Sequence, residues 1–554
     1  MKKHIFLAGV LMLLFSSCGD FLDYNENSDY DQNKLFNTTW SNTDFVTGIY
    51  AYLPGALNDV DGALRSAGCD EAEYVWPTSA IHRYYDGSWS ALRAVDDKWG
   101  HYYKAIRACN DYLEHGTGKD WKEFEFKKDY AKMMRKYRNL EWEVKALRAY
   151  YYFELVKRYN RIPLITKVLT EEEANNQEPV DYQTVINFIV RECDEVAEDG
   201  RLPAIYNADY DNETGRVSKI FALALKARAL LYAASPLNNP NAETSPDKWI
   251  EAAKAAKKII DASGSWNLSL VPFNQLLGTD NFKAAEMILI KRIGDTNELE
   301  KLNFPIGLEG GKSGNCPTQN LVDAYDMKEG QEMDEANPYA NRDPRLAYTV
   351  LYHGGNTAYG KQVDVLPNGL NGLPQEGATK TGYYLSKFVN INVSLTANNT
   401  TTARHSIPLF RYAEVLLIYA EAMNEAYGPE GVTEELNISA RTAINMVRGR
   451  TGLGIAALTV EDVPSKTAFR LALRKERMAE LAFEDHRFWD IRRWKIGSET
   501  TKIKRVSISK AGEGLSFEYS VTADRTWDDS MYFYPIPQAE IYKNSKLVQN
   551  PGWK

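Results

Sequence analysis

The sequence predicts a mainly α protein, a helical-repeat scaffold of the tetratricopeptide-repeat (TPR) kind with an inserted irregular subdomain. Two observations lead to this prediction. Amphipathic patterns of helical length follow one another in the first and last parts of the chain, some with alanine-rich faces that let helices approach closely. Between them, residues 266–402 are rich in Gly, Asn, Pro and Thr, which favours loops with short helices and strands. The TPR period of about 34 residues is not regular, so periodicity does not define individual repeats.

The chain begins with the pattern of an export signal. Two lysines precede an apolar run at residues 5–15, and two serines then lead to Cys18. The run is too short to cross a hydrocarbon core, which needs about 20 apolar residues. Small residues before a lone cysteine resemble a bacterial lipobox, so we predict a signal peptide over residues 1–17 and lipidation of Cys18; the alternative is an ordinary signal peptide with an incidental cysteine. Residues 18–39 are polar and acidic and are expected to form a tether, with Cys18 as the pivot of a hinged lid.

Helical patterns dominate the two segments that form the predicted scaffold. In residues 40–265 they cover 99–115, 140–159, 183–197, 218–234 and 247–262. In residues 403–554 they cover 404–426, 434–450 and 465–495, and a strand-like tail follows over 506–553.

The loop at residues 59–97 is the best candidate for a binding surface. It holds four large aromatic residues within fourteen positions and has no helical periodicity, so these rings are hard to bury together. An aromatic ring stacks on the apolar C–H face of a sugar, and neighbouring polar side chains bond to its hydroxyls. We predict stacking by Trp76 and Trp89, then by Tyr84 and Tyr85, with hydrogen bonds from Asp70, Arg83 and Asp86.

The inserted region is expected to supply a second wall of this site. Asn315 follows a glycine-rich approach and is predicted to bond to a ligand hydroxyl. Cys316 either lines the site or is buried. Tyr383 and Tyr384 are expected to belong to a packed strand.

Composition excludes several classes of function. The formal charge is −9 and there is no basic block, so the chain is a poor candidate for nucleic-acid binding. The cysteines after Cys18 show no metal-binding spacing, and we expect no cofactor. Asn207, Asp209 and Asp211 offer oxygens at alternate positions, a weak signal for a structural calcium ion that a solvated acidic turn explains better.

Several sequence blocks resemble the SusD/RagB family of outer-membrane lipoproteins, nearly end to end and in order. The clearest are LRKERMAELAFEDHRFWDIRRW (473–494), RYAEVLLIYAEAMNEA (411–426) and YFYPIPQAEIYKNSKLVQNPGW (532–553). Others are EVKALRAYYYFELVKRYNRIPLI (143–165), KARALLYAASPLNN (226–239), PTQNLVDAYDMKEG (317–330), NRDPRL (341–346) and TGYYLSKF (381–388). Asn160 departs from a glycine that the family often has, but asparagine tolerates the left-handed conformation.

The resemblance implies both a fold and a role. It implies a TPR-like scaffold with a less regular subdomain, on the outer face of the outer membrane. It implies a non-enzymatic protein that captures nutrients, usually oligosaccharides, and delivers them to a SusC-type TonB-dependent transporter. The alternatives are a peptide-binding member of the family, a purely structural partner of the transporter and, from another class, a surface glycoside hydrolase. Charged residues at helical spacings in 476–493 are better explained as ion-pairing partners than as catalytic groups. Arg148 and Arg411 are better explained as buried pairing partners than as ligand contacts.

Overall fold

The computed structural model describes residues 35–55, 58–206, 212–355 and 360–553. The predicted signal peptide, Cys18, most of the tether and the three candidate calcium ligands lie outside the described residues. The helices are α1 Thr39–Tyr50, α2 Trp99–His115, α3 Tyr130–Tyr159, α4 Glu171–Ala174, α5 Tyr182–Val196, α6 Lys219–Ala234, α7 Asp247–Ala262, α8 Glu298–Asn303, α9 Gln319–Val322, α10 Arg345–Thr349, α11 Tyr412–Tyr427, α12 Ala440–Arg448, α13 Lys466–Glu480, α14 Arg487–Arg493 and α15 Gln538–Lys543. The strands are β1 Ala72–Tyr74, β2 Ile162–Pro163, β3 Pro179–Val180, β4 Met287–Thr296, β5 Asn315–Pro317, β6 Val350–Leu351, β7 Tyr384–Leu385, β8 Ala403–Arg411, β9 Lys502–Ala511 and β10 Gly514–Asp524.

The long helices form a scaffold in which each packs mainly against its neighbours. α1 and α2 pack on α3, and the stack continues from α3 through α5 and α6 to α7. α11 packs on α7 and in turn contacts α12 and α13. This succession confirms the predicted mainly α, TPR-like architecture.

The alanine-rich face of α6 explains how the helices approach so closely. Ser218 caps the helix by accepting a hydrogen bond from the Phe221 amide, and the alanines that follow are fully buried. Because alanine adds little volume, it allows the backbone of α6 to lie close to α5 and α7, against which α6 packs.

The inserted region leaves the scaffold after α7 and returns at α11. Its two ends are joined because β4 pairs antiparallel with β8, with Ile290 opposite Pro408. Within the region, β6 pairs with β7, and β5 reaches out to pair with β1. The domain boundaries proposed from the sequence stay predictions.

The structure corrects three of the predicted helices. Residues 404–411 form strand β8 instead of the start of a helix, because Pro408 lacks an amide hydrogen and the segment pairs with β4. The predicted helix over 465–495 divides into α13 and α14, since Phe483 and Asp485 adopt positive φ angles of 60° and 63°. Within 434–450, only α12 is helical, and it starts after its cap Ser439.

Other local predictions are confirmed. Arg148 is buried and bonds to Glu192 through two nitrogens at 3.0 and 2.8 Å. Tyr383, Tyr384 and Cys316 are fully buried, and Asn160 has a φ angle of 63°. Cys69, Cys109, Cys193 and Cys316 are buried free thiols.

Candidate functional site

The aromatic loop is held against the inserted region by a short antiparallel pairing. Strand β1 pairs with β5, with Tyr74 opposite Asn315, and the Val75 amide donates to the Gly314 carbonyl at 3.0 Å. The Thr318 amide donates to the Glu71 carbonyl at 3.1 Å. Two segments that are far apart in sequence therefore form one surface.

Trp76 lies half-buried on this surface with its ring fixed on one edge. Its Nε1–H donates to the Lys312 carbonyl oxygen at 2.7 Å. A Cβ atom at Gly377 would lie 3.1 Å from the ring, so this glycine allows the indole to approach the backbone closely. Val75 and Tyr384 belong to the small apolar cluster against which the ring packs. The remaining part of the indole faces solvent.

His82 and Tyr85 continue the surface next to Trp76. His82 Nε2 lies 2.9 Å from the Trp76 carbonyl oxygen and Nδ1 lies 2.7 Å from the Tyr85 hydroxyl. Because a carbonyl only accepts, Nε2 carries the proton, and Nδ1 accepts from the hydroxyl of Tyr85. The Tyr85 ring lies 3.9 Å from the guanidinium carbon of Arg525, which pairs with Glu73. Burial raises the pKa of Tyr85 well above its usual value, so it stays a hydroxyl.

Arg83 and Asp86 complete this surface. Arg83 lies in the same 3-10 helix as His82, is half-buried, and has no hydrogen-bonding or ionic partner among the described residues. Asp86 is exposed, and its carboxylate accepts from the Ser88 amide at 2.7 Å. We refer to Trp76, His82, Arg83, Tyr85 and Asp86 as the Trp76 face. Ligand binding by its members remains a prediction.

Trp89 and Tyr84 are buried, so the prediction that they offer open stacking surfaces is wrong. Trp89 is 5% exposed, and its ring meets those of Tyr84, Tyr534 and Trp553 at centroid distances of 4.9, 5.0 and 4.8 Å. The Tyr84 hydroxyl is 2.6 Å from that of Tyr534. The C-terminal segment thus closes over both rings.

Asp70 and Asn315 are also buried and bond within the protein, which corrects their prediction as partners of ligand hydroxyls. The Asp70 carboxylate accepts two hydrogen bonds from Arg487 at 2.8 and 2.7 Å. Asn315 accepts from the Leu64 amide at 2.9 Å and donates to Asn303 at 2.8 Å. Both side chains fix the loop to its support and have no free face for a ligand.

Three residues that support the Trp76 face were not predicted from the sequence. Lys312 contributes only its carbonyl, and Gly377 only its missing side chain, neither of which has a chemical signature in sequence. Arg525 comes from the segment after β10. The density of glycines near 310–314 and at 377 was the one available signal of close backbone approach.

The Trp76 face can bind by stacking and hydrogen bonding. It combines an aromatic ring with a hydroxyl, an imidazole, a guanidinium and a carboxylate, which suits a ligand with one apolar face and several hydroxyls. Over the described ranges, no group of three or more His, Cys, Asp or Glu side chains is arranged to hold a metal ion.

The fold is similar to that of known proteins. A profile of the SusD family, SusD/RagB, matches residues 294–553. The crystal structure of a SusD-like protein from Bacteroides fragilis superposes with a TM-score of 0.77 and 25% identity, covering 95% of this chain and 99% of that one. The chain is similar to proteins of the SusD/RagB family.

SusD-like proteins of known sequence are similar to parts of this chain. SusD-like protein P38 of Formosa agariphila is 25% identical over 427 residues, 74% of this chain and 73% of that protein. SusD-like protein P2 of the same organism is 33% identical over 160 residues, and the match spans only 27% of its length. A SusD-like carbohydrate-binding protein from Bacteroides fragilis has a TM-score of 0.73 at 24% identity, covering 93% of this chain and 100% of that one.

A laminarin-binding SusD-like protein has the same fold, with a TM-score of 0.61 at 22% identity, covering 93% of this chain and 99% of that one. In the part of the chain that the structure describes, no helix has both the length and the apolar character of a membrane span.

Proposed function

We propose that this protein is a member of the SusD/RagB family that binds glycans at the cell surface through the Trp76 face. The observation that carries the proposal is a half-buried indole, held by the Lys312 carbonyl and bordered by polar side chains. Such a ring offers a flat apolar platform to a sugar, and His82, Arg83 and Asp86 offer partners for its hydroxyls. The carbohydrate-binding and the laminarin-binding SusD-like proteins, which share the fold of this protein, support the ligand class.

We further propose that lipidation of Cys18 anchors the protein on the outer face of the outer membrane. From there it delivers its glycan to a SusC-type TonB-dependent transporter. Similarity to the SusD/RagB family and the signal pattern at residues 1–17 support this role. Deleting the gene should abolish uptake of the bound glycan, and replacing Cys18 with Ala should leave the protein unanchored.

The test of the glycan site is native affinity electrophoresis in gels that contain starch, inulin, laminarin, xylan or mucin. At least one polysaccharide should retard the wild-type protein. Trp76→Ala should weaken that retardation at least tenfold, about 1.4 kcal/mol or more, because it removes the stacking platform. Trp40→Ala is the matched control, since Trp40 is a highly exposed tryptophan on α1, away from the loop.

Three outcomes would contradict the proposal, each in a different way. Equal affinity of Trp76→Ala and wild type would refute the site. Binding of a casein peptide digest in the absence of any polysaccharide binding would refute the ligand class and favour the peptide-binding alternative. Hydrolysis of a polysaccharide that one Asp or Glu substitution abolishes would favour a glycoside hydrolase.

A further inference from the structure

A second groove opens between β10 and the segment at residues 331–339. Its volume is about 330 Å³, within the range of roughly 300–1,000 Å³ found for ligand-binding clefts. One wall is formed by Tyr519 and Val521, the other by Met333 and Pro338, and the floor by Val322 and Arg342. We call it the hairpin groove.

The apolar wall of the hairpin groove is one face of β10. Alternate residues of a strand point to the same side, so Phe517, Tyr519 and Val521 share this face. Phe517 packs on Tyr339 with a ring-centroid distance of 5.8 Å. Tyr519 and Val521 stay 48% and 51% exposed, although they continue the same face. The strand therefore extends an apolar surface beyond the part that the protein covers.

Tyr519 has the properties of an unoccupied stacking platform. Its ring makes no ring contact with any aromatic side chain among the described residues, and its hydroxyl bonds to none of them. Burial raises its pKa, and Arg342 and Asp323 are close enough to influence that pKa in opposite directions. An aromatic ring is thus bordered by a cation and a carboxylate.

Polar groups at the rim of the groove are suited to hydroxyls. Asp323 and Lys504 form an ion pair at 3.2 Å, with both side chains about half exposed. Gln319 donates to Asp323 at 2.8 Å. Because the pair is solvent-exposed, it contributes little to stability and a ligand hydroxyl can insert between its members at low cost.

The floor of the groove contains a buried cation that has no carboxylate partner among the described residues. Arg342 is buried and donates to the carbonyls of Val322 and Tyr325 at 2.7 and 2.6 Å. Its Nε atom has no hydrogen-bond partner among the described residues, and it has no carboxylate partner within hydrogen-bond distance there. Because this Nε atom is covered by the protein, Arg342 acts on the groove through its positive charge, which favours an oxygen-rich ligand.

We propose that the hairpin groove is a second saccharide-binding site, with Tyr519 as its platform. A sugar residue places its C–H face on the ring and its hydroxyls against Asp323 and Lys504. The glycan class rests on the function proposed above, but the site itself stands on its own residues.

The two sites are supported by consecutive residues of the inserted region. Tyr384 packs in the apolar cluster under Trp76. Its neighbour Tyr383 bonds to Gln319, and its ring lies 6.2 Å from that of Tyr339, under the hairpin groove. Consecutive side chains where β7 begins therefore support different sites. A polysaccharide that engages both would bind more tightly than a short oligosaccharide, through avidity.

The test compares Tyr519→Ala, Trp76→Ala and the double variant with wild type, in the same five polysaccharide gels. Tyr519→Ala should weaken retardation about three- to tenfold, and the double variant should weaken it more than either single change. Tyr542→Ala is the matched control, because Tyr542 is an exposed tyrosine on α15 that does not line the groove. Far-UV circular dichroism of each variant should match that of wild type.

The outcomes separate the two proposals. If Tyr519→Ala binds every polysaccharide as wild type does, and the double variant binds as Trp76→Ala does, the hairpin groove is not a saccharide site. If Tyr519→Ala loses binding while Trp76→Ala keeps it, the groove is supported and the Trp76 face is refuted. Failure of all five polysaccharides to retard wild type would overturn both proposals. Binding of only the casein digest, at the groove, would also overturn both.

Discussion

Individual residues of the aromatic loop differ in what covers them. Trp89 is enclosed by Tyr534 and Trp553 from the end of the chain, whereas Trp76 is bonded to the backbone of the inserted region on one edge and is only half-buried. The sequence predicted an aromatic surface because four rings occurred together. It could not show that the C-terminal segment would cover two of them, since that contact depends on tertiary packing.

The buried carboxyl group of Glu71 should make stability depend on pH. Burial raises its pKa from 4.5 to about 7. The folded protein therefore holds this proton more tightly than the unfolded chain, and the free energy of unfolding should fall as pH rises from 4.5 through 7. The pKa shift corresponds to about 3 kcal/mol at most. Glu71→Gln keeps an acceptor for the Phe483 amide but cannot ionise. The free energy of unfolding of this variant relative to wild type, measured in urea, should therefore be about 2–3 kcal/mol more favourable at pH 8 than at pH 5.

Glu518→Gln serves as the control for this experiment, because Glu518 is an exposed carboxylate on β10. It should follow the wild-type pH dependence. A Glu71→Gln variant whose stability relative to wild type is the same at both pH values would contradict the assignment of this dependence to Glu71.

At the scale of elements, the pairing of β1 with β5 connects the loop to the inserted region. Asn315 fixes this pairing, because its side chain bonds to the Leu64 amide and to Asn303. The predicted role of Asn315 at the ligand surface is thus replaced by a role in holding the surface in position.

Asn315→Ala should destabilise the protein and loosen the loop. It leaves the buried Leu64 amide without its acceptor, which costs roughly 1–3 kcal/mol. Urea unfolding should give a lower midpoint, and hydrogen exchange should be faster within residues 59–97 than in wild type. Asn399→Ala, at an exposed position of the inserted region, should change the stability by less than about 0.5 kcal/mol. An unchanged midpoint and unchanged exchange for Asn315→Ala would argue against this role.

Elements defined by local pattern were predictable, and those defined by distant partners were not. The helices over 99–115 and 247–262 match α2 and α7 at both ends, because their amphipathic periodicity and flanking residues mark them locally. Strand β8 was predicted as a helix because its identity depends on pairing with β4, more than 100 residues earlier. The break between α13 and α14 depends on two positive φ angles at non-glycine residues, which the sequence does not specify.

At the scale of the whole molecule, a buried network of ion pairs joins the inserted region to the scaffold. Glu480 at the end of α13 pairs with Arg345 of α10 at 2.7 Å, and also with Arg411 of β8 and Arg450 after α12. The three guanidinium groups hold the pKa of Glu480 well below its usual range. The sequence prediction of ion pairing instead of catalysis in residues 476–493 agrees with this arrangement.

Glu480→Gln should destabilise the whole protein. Removing the charge leaves three buried arginines undercompensated, which costs about 3–5 kcal/mol. Because the pKa of the native carboxyl is lowered, its stabilisation is present above pH 4.5 and is lost only in strong acid. Urea unfolding at pH 7, followed by tryptophan fluorescence and circular dichroism, should show one transition at a lower midpoint by both probes.

The exposed pair of Asp295 and Arg404 provides the comparison, with side chains 58% and 67% exposed. Asp295→Asn should shift stability by less than about 0.5 kcal/mol. A Glu480→Gln variant as stable as Asp295→Asn would mean that the network does not hold the regions together.

The hydrogen bond from Trp76 to the Lys312 carbonyl has a consequence for the thermodynamics of capture. A free aromatic side chain on a loop loses rotamer freedom when a ligand lands on it, and each immobilised side chain costs about 0.5–1.5 kcal/mol. Trp76 has already lost that freedom in the unliganded protein, because its indole is tied to the backbone and lies against Gly377. Folding has already ordered this ring, so ligand binding loses less side-chain entropy. A weak stacking contact on the ring therefore contributes more of its free energy to affinity.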